Sequence, residues 1–122
     1  MKIRIKGNSL RYRLTRTDVA HLVESGYLED KVDFPGDMLT YALQLTDDEQ
    51  LSSGFKENTI TLFMPKLMLT ELADTDKVGF EHAADNIYLL VEKDFTCIDN
   101  VAEDQSDNYP NPLAEKLYEQ GK

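Results

Sequence analysis

Five basic side chains alternate along the first stretch of the sequence: Lys2, Arg4 and Lys6, then Arg11 and Arg13 beyond a Gly7-Asn8 pair. Guanidinium groups take carboxylate or phosphate oxygens in a two-pronged fashion, so several held in a fixed array would grip an anion. Arg4, Lys6, Arg11 and Arg13 are therefore the candidate anion- or partner-binding residues. The plainer reading is a charge network with the protein's own acids, such as Glu29, Asp33 or those near the C-terminus. A second cluster gathers Glu92, Asp94, Asp99, Glu103, Asp104 and Asp107. Oxygen ligands of this kind suit Mg²⁺ or Ca²⁺, which makes Asp94, Asp99, Asp104 and Asp107 the metal candidates. The segment lacks the glycine and terminal glutamate of a calcium loop, so a solvated acidic stretch is its bland counterpart. Cys97 would need a base to act as a nucleophile. Only His21 and His82 are present, no local signature links either to it, and a small buried thiol is expected. Two histidines are too few for a three-histidine zinc site. No catalytic residue and no cofactor is assigned.

To point the bases one way, the chain needs a hairpin. Lys2–Lys6 and Ser9–Leu14 each alternate, and glycine at the first position of a two-residue loop suits a type II′ turn. That register sets Ile5 opposite Leu10 and Ile3 opposite Tyr12 on one face. It sets Arg4 opposite Arg11 and Lys2 opposite Arg13 on the other. Like charges directly across a ladder destabilise it, so an anionic partner is expected over the basic face. A single bulged strand through Gly7 is the rival, because the apolar parity switches there.

Thr15 and Asp18 resemble a capping box ahead of a short helix over Val19, Leu22 and Val23, with Gly26 as its stop. Strands follow near Leu28–Phe34 and Met38–Leu45 around a Pro35-Gly36 turn. The order then returns: a hairpin from Leu51 to Met64 with Glu57-Asn58 at its tip, a helix opened by Pro65 over Leu69 and Leu72, and strands near Val78–His82 and Ile87–Phe95. A shift of 50 aligns Ile5 with Phe55, Asn8 with Asn58, Leu22 with Leu72 and Leu39 with Leu89. The fold class is thus α+β, a mainly antiparallel sheet of about eight strands with two short helices. A closed barrel and two packed sheets both cover the edges and both stay open. Residues 1–98 form the expected domain, with pseudo-repeats 2–45 and 51–95. Residues 99–122 read as an irregular acidic tail with a short helix after Asn111-Pro112.

The chain has 122 residues, 41% hydrophobic and 30% charged, enough for one core without staples. Its net charge is −10, yet residues 1–16 carry six bases and no acid. That total disfavours nucleic acid and anionic membrane as partners. No apolar run approaches membrane-spanning length, and the N-terminus lacks the apolar stretch of a signal peptide. A single cysteine fits a reducing, cytoplasmic setting.

The run Lys2-Ile3-Arg4-Ile5-Lys6-Gly7-Asn8-Ser9 with Arg11-Tyr12-Arg13-Leu14 forms one motif. Glu92-Lys93-Asp94-Phe95, Cys97, Glu103-Asp104-Gln105-Ser106-Asp107 and Pro110-Asn111-Pro112 form another. Together they resemble an uncharacterised family of bacterial proteins of about this length, a domain of unknown function. The resemblance implies a complete single-domain chain and no particular reaction.

Three readings follow. The first is a small binding or interaction domain whose basic hairpin face meets an acidic segment, its own or a protein partner's, or a small anion. The second is an anion- or metal-dependent enzyme for a phosphorylated small molecule, with Arg4, Arg11 and Arg13 as the clamp. The third is a homodimer in which each tail covers the other chain's basic face. A polyphosphate tunnel of eight strands with inward bases is an analogy only, since the first strand has no carboxylate to hold a metal.

Overall fold

A computed structural model describes residues 1–95 as eight strands and two helices. The chain opens with β1 (Lys2–Lys6) and β2 (Ser9–Leu14), followed by α1 (Arg16–Ser25). Next come β3 (Tyr27–Phe34), β4 (Asp37–Thr46), β5 (Ser52–Lys56) and β6 (Thr59–Pro65). Then α2 (Lys66–Asp74), β7 (Gly79–Ala84) and β8 (Ile87–Lys93) complete it. The fold is α+β with two four-stranded sheets, ordered β1-β2-β8-β7 and β3-β4-β6-β5. Among the described residues there is no closed barrel.

Hairpin–helix–hairpin occurs twice, and the hairpins keep register. Lys2 pairs with Arg13 and Ser52 with Phe63; Tyr27 pairs with Gln44, and in β7–β8 Gly79 with Glu92. In the first comparison both positions move by 50. In the second, Lys31↔Thr40 likewise corresponds to Glu81↔Leu90. Each half sends its two hairpins to different sheets, so every sheet holds one hairpin from each half. The seams between them, β2·β8 and β4·β6, are parallel. The sheets are mainly antiparallel, as expected; the place of the two parallel seams is not readable from alternation, which reports which face is buried and not which strand lies alongside.

The seams differ by one pleat. Leu10 lies beside Leu89, whereas Ile60 lies beside Tyr41, two residues on from the position a strict repeat would give. A two-residue slip leaves every side chain on its own face. It also lets the β3–β4 hairpin overhang its sheet, with Phe34 and Met38 exposed at the tip.

Alternate strand residues turn inward to one core. Tyr12, Leu14, Leu89 and Val91 of the first sheet meet Leu43, Leu62 and Met64 of the second, with Leu22 from α1 and Leu69 and Leu72 from α2. Burying each such side chain stabilises the fold by about 1.5–3 kcal/mol relative to exposure. The Tyr12 hydroxyl crosses between sheets and donates to the Ile60 carbonyl at 3.3 Å. Burial pushes that hydroxyl far above the ordinary tyrosine range, the Ala42 backbone offsetting part of the effect.

The helix signals act as expected with one exception. Asp18 N–H donates to Thr15 Oγ1 and Thr15 N–H donates to Asp18 Oδ2, a reciprocal capping box. Gly26 closes α1 in the left-handed conformation at φ 77°. Val23 is exposed, however: this short helix buries only Leu22, with Val19 packed beside it. Pro65 ends β6 and starts α2 without a side-chain cap.

Candidate functional site

The first hairpin forms in the expected register, Arg4 beside Arg11 and Lys2 beside Arg13. Inward Leu10, Tyr12 and Leu14 are buried, so strand alternation turns Lys2, Arg4, Lys6, Arg11 and Arg13 to the opposite, outward face. Inward-facing bases, which a polyphosphate tunnel needs, are therefore absent from this hairpin. The core claims that side.

The bases opposite one another are not left without counter-charge. Parallel β8 supplies Glu92 beside Arg13, and its carboxylate sits between two guanidinium groups. Glu92 Oε1 accepts from Arg11 Nε at 2.7 Å and from Arg13 Nε at 3.1 Å, with Arg11 Nη2 at 2.5 Å. All three side chains are partly buried, at 28%, 23% and 16% exposure for Arg11, Arg13 and Glu92. Just past the strand, Asp94 N–H donates to the Leu14 carbonyl, and the Asp94 carboxylate meets Lys2 Nζ at 2.9 Å. Glu29 has its own partners, Tyr27 and Lys31. Within the described residues, then, the counter-charge to the basic face is Glu92 and Asp94. Neither Glu29 nor Asp33 pairs with it there.

Arg4 and Lys6 lie further along β1, exposed, and make no ion pair among the described residues. The outward face continues through Leu90 to Glu81, which accepts from the Tyr88 hydroxyl; that bond, before any burial effect, raises the tyrosine above its ordinary range. The array thus has a fixed part, Arg11–Glu92–Arg13, and a projecting part, Arg4 and Lys6. Strand alternation places them on one outward face.

Glu92 is the residue that sequence reasoning missed in this role. Its signal was present: Leu89 and Val91 alternate as buried positions, which turns Leu90 and Glu92 outward. Its neighbours became visible only with the parallel seam.

An open cleft of about 230 Å³ lies elsewhere, lined by Asn8, Ser52, Ser53, Ala84, Asp85, Asn86 and Ile87. None of the predicted basic residues lines it. Asn8 Nδ2 donates across to the Asn86 carbonyl there, and Asn58, at the tip of the β5–β6 hairpin, donates to Asp37 Oδ1 at 3.4 Å. Of the metal candidates, Asp94 is occupied by Lys2, while Asp99, Asp104 and Asp107 lie outside the described residues, as does Cys97. Among the described residues no three His, Cys, Asp or Glu side chains gather as a metal site. No helix among them is long and apolar enough to cross a membrane.

Fold and site together define a two-sheet α+β protein with a polarised outer surface. The chain belongs to a family of unknown function, DUF7009, whose model matches residues 1–113. No curated protein and no solved structure matches it.

Proposed function

We propose that this chain is a small binding domain whose outward basic face engages an acidic protein segment. The observation that carries the reading is the division of the array: Arg11 and Arg13 are locked on Glu92, while Arg4 and Lys6 project beside them without an ion pair among the described residues. A locked pair sets the geometry of the surface, and exposed cations beside it give long-range attraction and orientation. An outward sheet face suits an extended acidic polypeptide better than a small substrate, which calls for a concave site. The cleft, the concave feature described above, is lined by none of Arg4, Arg11 and Arg13, which weighs against an enzyme clamping a phosphorylated molecule there. Residues 1–98 would act as one unit made of repeats 2–45 and 51–95, in the cytoplasm of a bacterial cell. The acids of residues 99–122 are one candidate segment, in the same chain or exchanged within a homodimer.

A thermal-shift screen of the full chain tests this against inorganic phosphate, nucleotides, divalent ions and an acidic peptide. Binding to the folded state alone raises Tm with the logarithm of ligand concentration. The peptide should raise it, and Arg4→Ala with Lys6→Ala should abolish the shift. A shift from phosphate or a nucleotide alone, lost in Arg11→Ala, would overturn the reading in favour of the enzyme.

A further inference from the structure

Resting on the basic-face reading, we infer that the open edge of β1 takes an extended peptide as a fifth strand, with acidic residues at alternate positions. β1 ends its sheet and pairs only with β2, so one side of its backbone lacks a strand neighbour among the described residues. Such an edge is a template for strand addition, in which backbone hydrogen bonds give affinity and alternate side chains give selectivity.

The side chains of β1 define the pattern. Arg4 and Lys6 face outward, and between them Ile5 faces the other way while remaining 57% exposed. A strand laid alongside would set acids next to Arg4 and Lys6 and an apolar residue next to Ile5. Such a neighbour would cover Ile5 and give both cations charge-assisted contacts.

The remaining edges do not fit an acidic strand. β3 carries Glu29, Asp30 and Asp33 against one lysine; β7 carries Glu81 and no lysine or arginine; β5 offers only Lys56. A second copy of β1 does not fit either, because antiparallel self-pairing would set Lys and Arg against Lys and Arg. Alternating charge therefore guards this edge against its own kind while leaving it open to the opposite one.

The test uses the full-length protein and fluorescence anisotropy with a labelled peptide, Thr-Glu-Val-Glu-Val-Glu-Thr. Beside it go a same-composition peptide with adjacent acids, Thr-Val-Val-Glu-Glu-Glu-Thr, and two copies N-methylated on one or the other set of alternate amides. The alternating peptide should bind, the block peptide should bind roughly tenfold more weakly, and Arg4→Glu should do the same to the alternating one. One methylated copy should lose binding and the other keep it, since an added strand uses one set of its amides. If the block peptide and both methylated copies bind equally, strand addition is overturned while the basic-face reading stands. If no acidic peptide binds and Arg4→Glu changes nothing, both fail. Binding that emerges only with Asp99→Asn, Glu103→Gln, Asp104→Asn and Asp107→Asn combined would assign the edge to the chain's own acids and overturn the separate partner.

Discussion

Three turn residues hold a backbone conformation that side chains resist: Glu57 at φ 51°, Asn58 at φ 61° and Asp85 at φ 57°. Asparagine tolerates this region, and Asn58 also uses its side chain to reach Asp37. Glu57 and Asp85 make no such side-chain tie at the turn. Replacing either by glycine should stabilise the fold by about 1 kcal/mol, read as a higher midpoint in urea. Gly79 is the opposite case. A Cβ there would lie 2.5 Å from the Val91 carbonyl oxygen and 2.6 Å from Glu92 Cβ. Backbone cannot swing aside as a flexible side chain can, so Gly79→Ala should destabilise by roughly 1–3 kcal/mol. The same clash presses on the strand that carries Glu92. Salt dependence of stability should therefore change in Gly79→Ala as well as the midpoint.

At the scale of the element, α1 depends on its first turn more than on its buried face, since only Leu22 is fully enclosed. Thr15→Ala removes the cap acceptor and should cost about 1 kcal/mol, seen in thermal or urea unfolding. Its partner Asp18 adds a pH signature. Burial favours the neutral carboxyl, but hydrogen bonds from Thr15 and the Met1 amino group outweigh it and hold Asp18 below the ordinary aspartate range. A carboxyl lowered on folding contributes stability above its unfolded value and loses it as pH falls through its folded value. Unfolding midpoints measured from neutral to acid pH should decline across that window, and less steeply in Asp18→Asn. The Thr15–Asp18 signature, Gly26, and the turns at Gly7, Gly36 and Glu57-Asn58 were all legible in the sequence, because each is a local demand met by local residues. The parallel seams were not. They join strands that do not follow one another in the chain, through alternating apolar positions that any other strand could satisfy equally well. Val23 shows the same limit: its spacing matched the apolar stripe, but so short a helix turns too narrow a face inward to use it.

Across the whole molecule, the seam between the halves is also where the basic face is neutralised, and Glu92 is its centre. The first hairpin of one half brings Arg11 and Arg13; the last strand of the other half brings the acid they share. Without it, Arg4 and Arg11, and Lys2 and Arg13, would stay opposite one another across the ladder with Asp94 as the one remaining counter-charge among the described residues. Glu92→Gln keeps the shape and one acceptor oxygen but removes the charge. The two partly buried guanidinium groups then lose their charged acceptor, a loss of about 1–3 kcal/mol for bonds of this kind. Added salt screens the repulsion that remains, so the deficit should shrink as ionic strength rises. Inorganic phosphate should shrink it further than chloride at equal ionic strength, because its oxygens can replace the missing carboxylate between the two forks. Urea unfolding of both forms in matched chloride and phosphate buffers would decide it. If chloride and phosphate restore Glu92→Gln equally, Arg11 and Arg13 are acting as diffuse charge and not as an oriented pair. If neither restores it, the glutamate holds the seam by packing, and the basic face would keep its shape without its acid.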